Sequence, residues 1–370
     1  MKIAFYLAHP AHFHLFKNVI EKLINSKNSV IVYYNEKDVL NSLIKQSNFA
    51  NICIKIKTIK NYSKYLLKIQ FLQKLFGLFI KLLINRPDII FGTSIVISLC
   101  SKLLKIDNII VNEDDFDIIN KTVTLGYPYA THILCPEVCK VLQFSDKSIK
   151  YPGYHELAYL HPENFFPNAD IVKKNIKMDK PYFILRFAKL SAHHDNGISG
   201  INDEIAEKLV NKLSAHGKVY ITSERELNET LEKYKISIKP IDMHHVIAFA
   251  KMYIGDSQTM AAEAGVLGVP FIRFNDFVGR INILDELENQ YNLGFGIKTD
   301  RVDVLFSKVQ SVLNENNLYD RWQKKRYKML NEKIDFSKFL FWFISNYPDS
   351  VNDVKKKPDK IYQQFITNFN

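Results

Sequence analysis

The chain opens on an apolar run, KIAFYLA (2–8), and passes at once into HPAHFHLFKNVIEKLINS (9–26), where apolar positions recur with the helical period. NSVIVYY (28–34) reads as a second strand, EKDVLNSLIKQ (36–46) as a helix and ICIKIK (52–57) as a third strand. After a long amphipathic stretch, DIIFG (88–92) reads as a strand, SIVISLCSKLLKI (94–106) as a helix, and NIIVNEDD and THILCP as two more strands. These strands are apolar throughout. That is the pattern of a parallel sheet covered by helices on both faces.

The alternation pauses at YPGYHELAYLHPENFFPN (151–168), rich in proline and aromatics, which reads as a linker. It then restarts with PYFILRF as strand, NDEIAEKLVNKLSAHG as helix and KVYITS as strand. RELNETLEKY and MHHVIAFAK read as helices, MYIGDS as a strand, MAAEAGVLG as a helix, VPFIRF as a strand and VDVLFSKVQSVLNE as a helix. The expectation is two doubly wound α/β domains, 1–152 and 153–335, with ligands bound in a cleft at the carboxyl ends of both sheets. An aromatic helical tail, 336–370, is expected to pack back on the body. A length of 370 residues suits two cores better than one.

Composition adds a compartment and a partner charge. The first residues carry no basic leader, and their apolar run breaks at histidines, so a cytoplasmic location is expected. No stretch has the apolar length of a bilayer span. Cys53, Cys100, Cys135 and Cys139 are scattered, which supports neither a zinc site nor a disulfide scaffold. Fifty Lys and Arg against 39 Asp and Glu give a net charge of +11, which suits an anionic partner. Nucleic acid is the least favoured, since no helix-turn-helix, RRM or zinc-finger pattern is present. A lysine-rich codon bias accounts for the excess equally well.

Chemistry concentrates first in GDSQTMAAEAGVLGVP (255–270), a strand end running into small helix-forming residues. A helix start offers unpaired N–H groups and a positive dipole end, which suits phosphate. Ser257, Gln258 and Thr259 can add side-chain donors, Asp256 reads as a cap, and Glu263 lies about one turn beyond Thr259 on the same face. A carboxylate there can accept the two hydroxyls of a ribose. A well-capped core helix would leave the same pattern.

The segment YIGDSQTMAAEAGVLGVPFIRF resembles the nucleotide-binding segment of GT-B proteins. It is most similar to the non-hydrolysing UDP-N-acetylglucosamine 2-epimerases and the peptidoglycan N-acetylglucosaminyltransferase. With YLAHPAHFHLFKNVI and FNDFVGRINILDELE it resembles an uncharacterised prokaryotic GT-B family, over residue 1 to about 340. The resemblance implies two Rossmann-like domains, a nucleotide sugar as substrate and no metal or other cofactor. Where the epimerases carry consecutive glycines after the serine, this chain has Gln258 and Thr259.

The other constellations take their roles from that frame. His9, His12 and His14 follow the first strand; His12, then His14, is expected as a base toward a sugar hydroxyl, with a capping histidine as the bland alternative. Glu113 and Asp114 follow NIIV, where the epimerases hold an essential acid. FGTSIV supplies only Thr93 and Ser94 where the epimerases need another, which argues against 2-epimerisation. Arg186, closing PYFILRF, is expected to neutralise a departing diphosphate, with Lys189, His193 and His194 beside it. Ser223 is a weaker phosphate candidate. Backbone groups at His245 and Val246 are expected beside the uracil.

Residues 60–86 interleave Lys60, Lys64, Lys68, Lys74 and Lys81 with Leu, Ile, Phe and Tyr. Such a helix either lies on an anionic membrane or is a buried crossover whose lysines snorkel at its rim. The resulting expectation is a GT-B glycosyltransferase, with a nucleotide sugar and a glycan or lipid-linked acceptor as partners and peripheral membrane association. The alternatives are a UDP-N-acetylhexosamine 2-epimerase or hydrolase, and a non-catalytic GT-B-like partner in a membrane assembly.

Overall fold

A computed structural model describes every residue except Asp38, 59–63, Asp117, 189–198 and Asn370; for 64–67 and 121–122 it describes the backbone alone. The chain forms two compact units, Met1–Tyr159 with Lys333–Ile366, and Leu160–Glu332 with Thr367–Asn370.

The first unit begins β1 (Lys2–Leu7), α1 (Pro10–Asn25), β2 (Ser29–Asn35), α2 (Leu40–Lys45), β3 (Cys53–Ile56) and α3 (Lys64–Asn85). It continues β4 (Ile89–Gly92), α4 (Ile95–Leu104), β5 (Asp107–Val111), α5 (Asn120–Gly126), β6 (His132–Pro136) and β7 (Ser148–Tyr151). All seven strands are parallel, in the order β3-β2-β1-β4-β5-β6-β7. β1 lies centrally, paired Ile3 to Val30 on one side and to Ile89 on the other, and its side chains from Ile3 to Leu7 are fully buried. That burial on both faces explains the unbroken apolar run.

The second unit holds α6 (Ala169–Asn175), β8 (Tyr182–Phe187), α7 (Asp203–Ser214), β9 (Lys218–Ser223), α8 (Glu229–Glu232), α9 (Met243–Ala248) and β10 (Met252–Gly255). Then come α10 (Gln258–Val266), β11 (Phe271–Phe274), α11 (Asn282–Asn289), β12 (Gly294–Ile297), α12 (Val302–Leu313) and α13 (Leu318–Leu330). Its five parallel strands run β12-β11-β10-β8-β9. The helix expected over 225–234 shrinks to Glu229–Glu232, because Ile221 and the 234–236 backbone exchange hydrogen bonds and draw that segment against β9.

The chain then returns to the first unit as α14 (Phe336–Ser345), α15 (Asp349–Lys356) and α16 (Pro358–Tyr362). Phe336 stacks on Tyr151 at 4.2 Å, and Ile334 N–H donates to Pro152 O at 2.9 Å. Residues 151–159, read from sequence as linker, are instead part of this packing: Tyr154, Leu157 and Ala158 are fully buried.

Each sheet reverses its strand order once, between β1 and β4 in the first unit and between β8 and β10 in the second. Open α/β sheets bind ligands outside the carboxyl ends of their strands at such reversals. Among the described residues no helix is long and apolar enough to cross a membrane.

Candidate functional site

In the second unit the reversal falls where Arg186 closes β8 and Gly255 closes β10. The two residues are register partners, and a Cβ at 255 would stand 2.6 Å from the Arg186 carbonyl oxygen, so the close approach requires glycine. Ser257 caps α10, its Oγ accepting from Met260 N–H at 3.5 Å. The helix therefore starts at Gln258, and the N–H groups of Gln258 and Thr259 precede its hydrogen-bond ladder. Residues Ala261–Val266 are all buried, so small side chains here serve close packing. Gly268, at φ +73°, ends the helix with Val269 N–H on Ala264 O and Gly268 N–H on Gly265 O, a Schellman closure.

Asp256, expected as the cap, does something else. It is buried, and its two oxygens accept from Ala188 N–H at 2.6 Å and Ile201 N–H at 3.3 Å. Burial pushes its carboxyl up to about 6 against the pull of those bonds. It ties the exit of β8 to residue 201 and leaves the helix start to neutral donors.

Gln258 is held by a residue the sequence reading passed over. Arg273, fully buried on β11, donates from Nη1 to Gln258 Oε1 at 3.0 Å, from Nη2 to Asp285 at 3.3 Å, and from Nε and Nη2 to the two oxygens of Glu288. Burial holds the Glu288 carboxyl above its usual range, even against the downward pull of Arg273. A guanidinium only donates, so the Gln258 carbonyl must face it and the amide N–H₂ must face away. That nitrogen is buried without a partner among the described residues. The signal was a lone arginine inside an apolar strand, which can be buried only if carboxylates meet it.

Glu263 is buried and accepts from His244 Nε2 at 2.9 Å. The sequence reading named the neighbouring His245 instead. His245 Nδ1 accepts from Asn168 N–H at 3.1 Å, and its ring lies 4.8 Å from Phe165, so it braces the segment before α6. Val246 is fully buried, with its N–H on Asp242 O and its carbonyl accepting from Tyr182 Oη, so its backbone is already occupied within the protein. Ser223, expected as a weaker phosphate candidate, closes a turn, accepting from Arg225 N–H and donating to Arg225 O. Arg186 is paired with Glu224 through Nη2 and so is no bare cation, while its buried Nε has no partner among the described residues. Thr259 is exposed. Lys189, His193 and His194 lie outside the described residues.

In the first unit the reversal gathers His12, from the start of α1, and Thr93, at the end of β4. His9 caps α1, its Nδ1 accepting from Ala11 N–H at 3.2 Å. His12 Nδ1 accepts from Ala8 N–H at 3.1 Å, so in the neutral ring the proton sits on Nε2, which donates to Thr93 Oγ1 at 2.7 Å. Burial, with His9, His155 and Lys37 nearby, holds this imidazole well below its usual range. Both ring nitrogens of His12, the residue expected as a base, thus have partners within the protein. His14, the next residue expected there, is buried against Phe13 and Tyr159.

One strand further, Glu113 follows β5. Its Oε2 accepts from His155 N–H at 3.0 Å, and its Oε1 lies 3.4 Å from His155 Nδ1. His155 is 8% exposed and stacks on Phe336 at 5.8 Å; its Nε2 is buried without a partner among the described residues. The pair is a carboxylate-oriented imidazole, an arrangement that places a proton on Nδ1 and a lone pair on Nε2. His155 sat in the stretch read as linker, and its partner is too distant in sequence for any local pattern to show. Asp114 contributes its carbonyl to Asn112 Nδ2 at 2.9 Å, and buried Asp115 accepts from Lys140 N–H. Among the described residues no group of three His, Cys, Asp or Glu could hold a metal.

Two parallel doubly wound sheets, each with one strand-order reversal, give the chain a GT-B fold. Residues 1–314 match the family described as protein of unknown function DUF354, and the chain belongs to that family. A putative UDP-N-acetylglucosamine 2-epimerase from Listeria monocytogenes is similar in structure, with a TM-score of 0.65, 11% identity and 97% of each chain covered. MnaA from S. aureus, solved with UDP, gives 0.63 and 12% over all of both chains. The calicheamicin glycosyltransferase CalG4 gives 0.56 and 10%, covering 94% of this chain and 99% of its own. No curated protein matches the sequence.

Proposed function

We propose that the chain is a glycosyltransferase that takes a sugar from a nucleoside diphosphate, UDP-linked, and passes it to a cell-surface glycan or lipid-linked acceptor on the cytoplasmic side. The sugar nucleotide is its substrate, and it uses no metal or other cofactor. The observation that carries this reading is the donor set at the β10–α10 junction. Gln258 Nε2, aimed by Arg273, joins two first-turn N–H groups at a helix start. Neutral, fixed donors of this kind stabilise the charge that grows on a departing diphosphate. Glu263 takes the ribose hydroxyls while His244 holds its other edge.

Proton transfer is assigned to Glu113 and His155. As the acceptor oxygen bonds to the sugar carbon and the carbon–oxygen bond to the diphosphate breaks, the acceptor proton passes to His155 Nε2. Glu113 steadies the imidazolium that results. Calorimetry with UDP-, GDP- and CMP-sugars tests the proposal: one should bind, with affinity lost in Glu263→Ala, and silence from all three would overturn it. Glu113 at the end of β5 also suits 2-epimerisation, but β4 ends in the hydroxyls of Thr93 and Ser94. Turnover of a UDP-N-acetylhexosamine without acceptor would select that second reading.

A further inference from the structure

The helix α3 is built inside out for a surface helix. Leu78 and Leu82 are fully buried, and Gly77 comes so close to β3 that a Cβ would stand 2.7 Å from Ile56 Cγ2. The opposite face carries Ile69 (45% exposed), Leu72 (56%), Phe76 (68%), Ile80 (45%), Leu83 (45%) and Ile84 (70%). At 3.6 residues per turn these six fall within an arc of about 120°. A helix on the surface of a domain normally turns charged and polar residues that way, and a continuous apolar stripe marks an interaction surface.

Charge identifies what covers it. From residue 39 to residue 87 the chain has no Asp or Glu, yet it carries nine Lys and Arg. Lys68 borders the stripe on one side, Lys74 and Lys81 on the other, and Arg86 follows directly on the helix end. Burial, with Lys37 nearby, lowers the Lys74 ammonium, as expected of a cation set at the edge of apolar surface. A second copy of the same face would bring like charges together across a twofold axis. An anionic bilayer meets both demands, taking the stripe at its acyl boundary and the cations among its phosphates.

We infer that α3, over 68–86, docks the protein flat on an anionic phospholipid surface. The inference stands apart from the nucleotide chemistry, and its test needs no nucleotide. The purified full chain is sedimented with vesicles of phosphatidylcholine alone or mixed with phosphatidylglycerol. It should bind the mixed vesicles, release with added salt, and bind the neutral ones weakly. Phe76→Ser with Ile84→Ser should abolish binding, and each of Lys68→Gln and Arg86→Gln should weaken it by about fivefold, all with an unchanged melting temperature. Absence of binding to mixed vesicles, or undiminished binding by the Phe76→Ser, Ile84→Ser variant, would overturn the inference. So would a dimer that the same variant dissociates.

Discussion

The two strand-order reversals are built from opposite materials. At β8/β10 the charges are numerous and locked: Arg273 is spent on Glu288 and Asp285, Arg186 on Glu224, and Asp256 on two backbone N–H groups. What remains for a ligand is neutral, chiefly an amide nitrogen and a helix start. At β1/β4 and neighbouring β5 the groups are titratable, and His12 is kept uncharged by its surroundings. On the proposed function, one edge would hold charge still so that an incoming anion finds fixed dipoles. The other would supply the proton acceptor through His155.

That contrast can be broken most severely at Arg273. Arg273→Met strands Glu288 in the core and should cost about 3–5 kcal/mol in urea unfolding, with Glu288→Leu in the same chain recovering most of it. His155→Ala should lower the transfer rate by about 10²–10⁴-fold while nucleotide affinity in calorimetry stays at the parental value. Equal losses in both would mean that the two edges are not separate in function.

The third way concerns pH. The Asp256 carboxyl sits at about 6 in the fold, above its usual value, so the folded chain binds more protons than the unfolded chain between about pH 4 and 6. Its contribution is present in full below that window and is lost as pH rises through it, by about 3 kcal/mol. Urea titrations of parent and Asp256→Asn from acid to neutral pH should show this slope in the parent only. Gln258→Leu should weaken UDP binding by about tenfold, one hydrogen bond, and lower stability by about 1–3 kcal/mol because Arg273 Nη1 loses its acceptor. Ser257→Ala should be mildest, costing about 1 kcal/mol of stability through the lost cap.

Long apolar strands such as β1, β5 and β8 declared themselves in sequence because both of their faces are covered. β7 (SIKY) and β12 (GFGI) did not: a lysine interrupts one and glycines the other, and their place is fixed by neighbouring strands. The same divide runs through the sites. Ser257, Gln258 and Glu263 were legible because a helix start and its first turns are local. The pairs Glu113–His155, His244–Glu263 and Gln258–Arg273 were not, since each joins residues brought together only by sheet order. Polar type showed that Arg186 and Ser223 could bind anions; only their contacts show that Glu224 and Arg225 already engage them.

The route of the chain has a consequence for its synthesis. The second unit is an insertion within the first, which is completed only when residues 333–366 come back to it. A ribosome therefore releases the β10–α10 junction well before Phe336 arrives to lie against Tyr151 and His155. A chain stopped early would carry the finished β10–α10 junction beside a first unit without Phe336 against Tyr151 and His155. If the proposed chemistry holds, competence ripens last, and a truncated product is disarmed by its own topology.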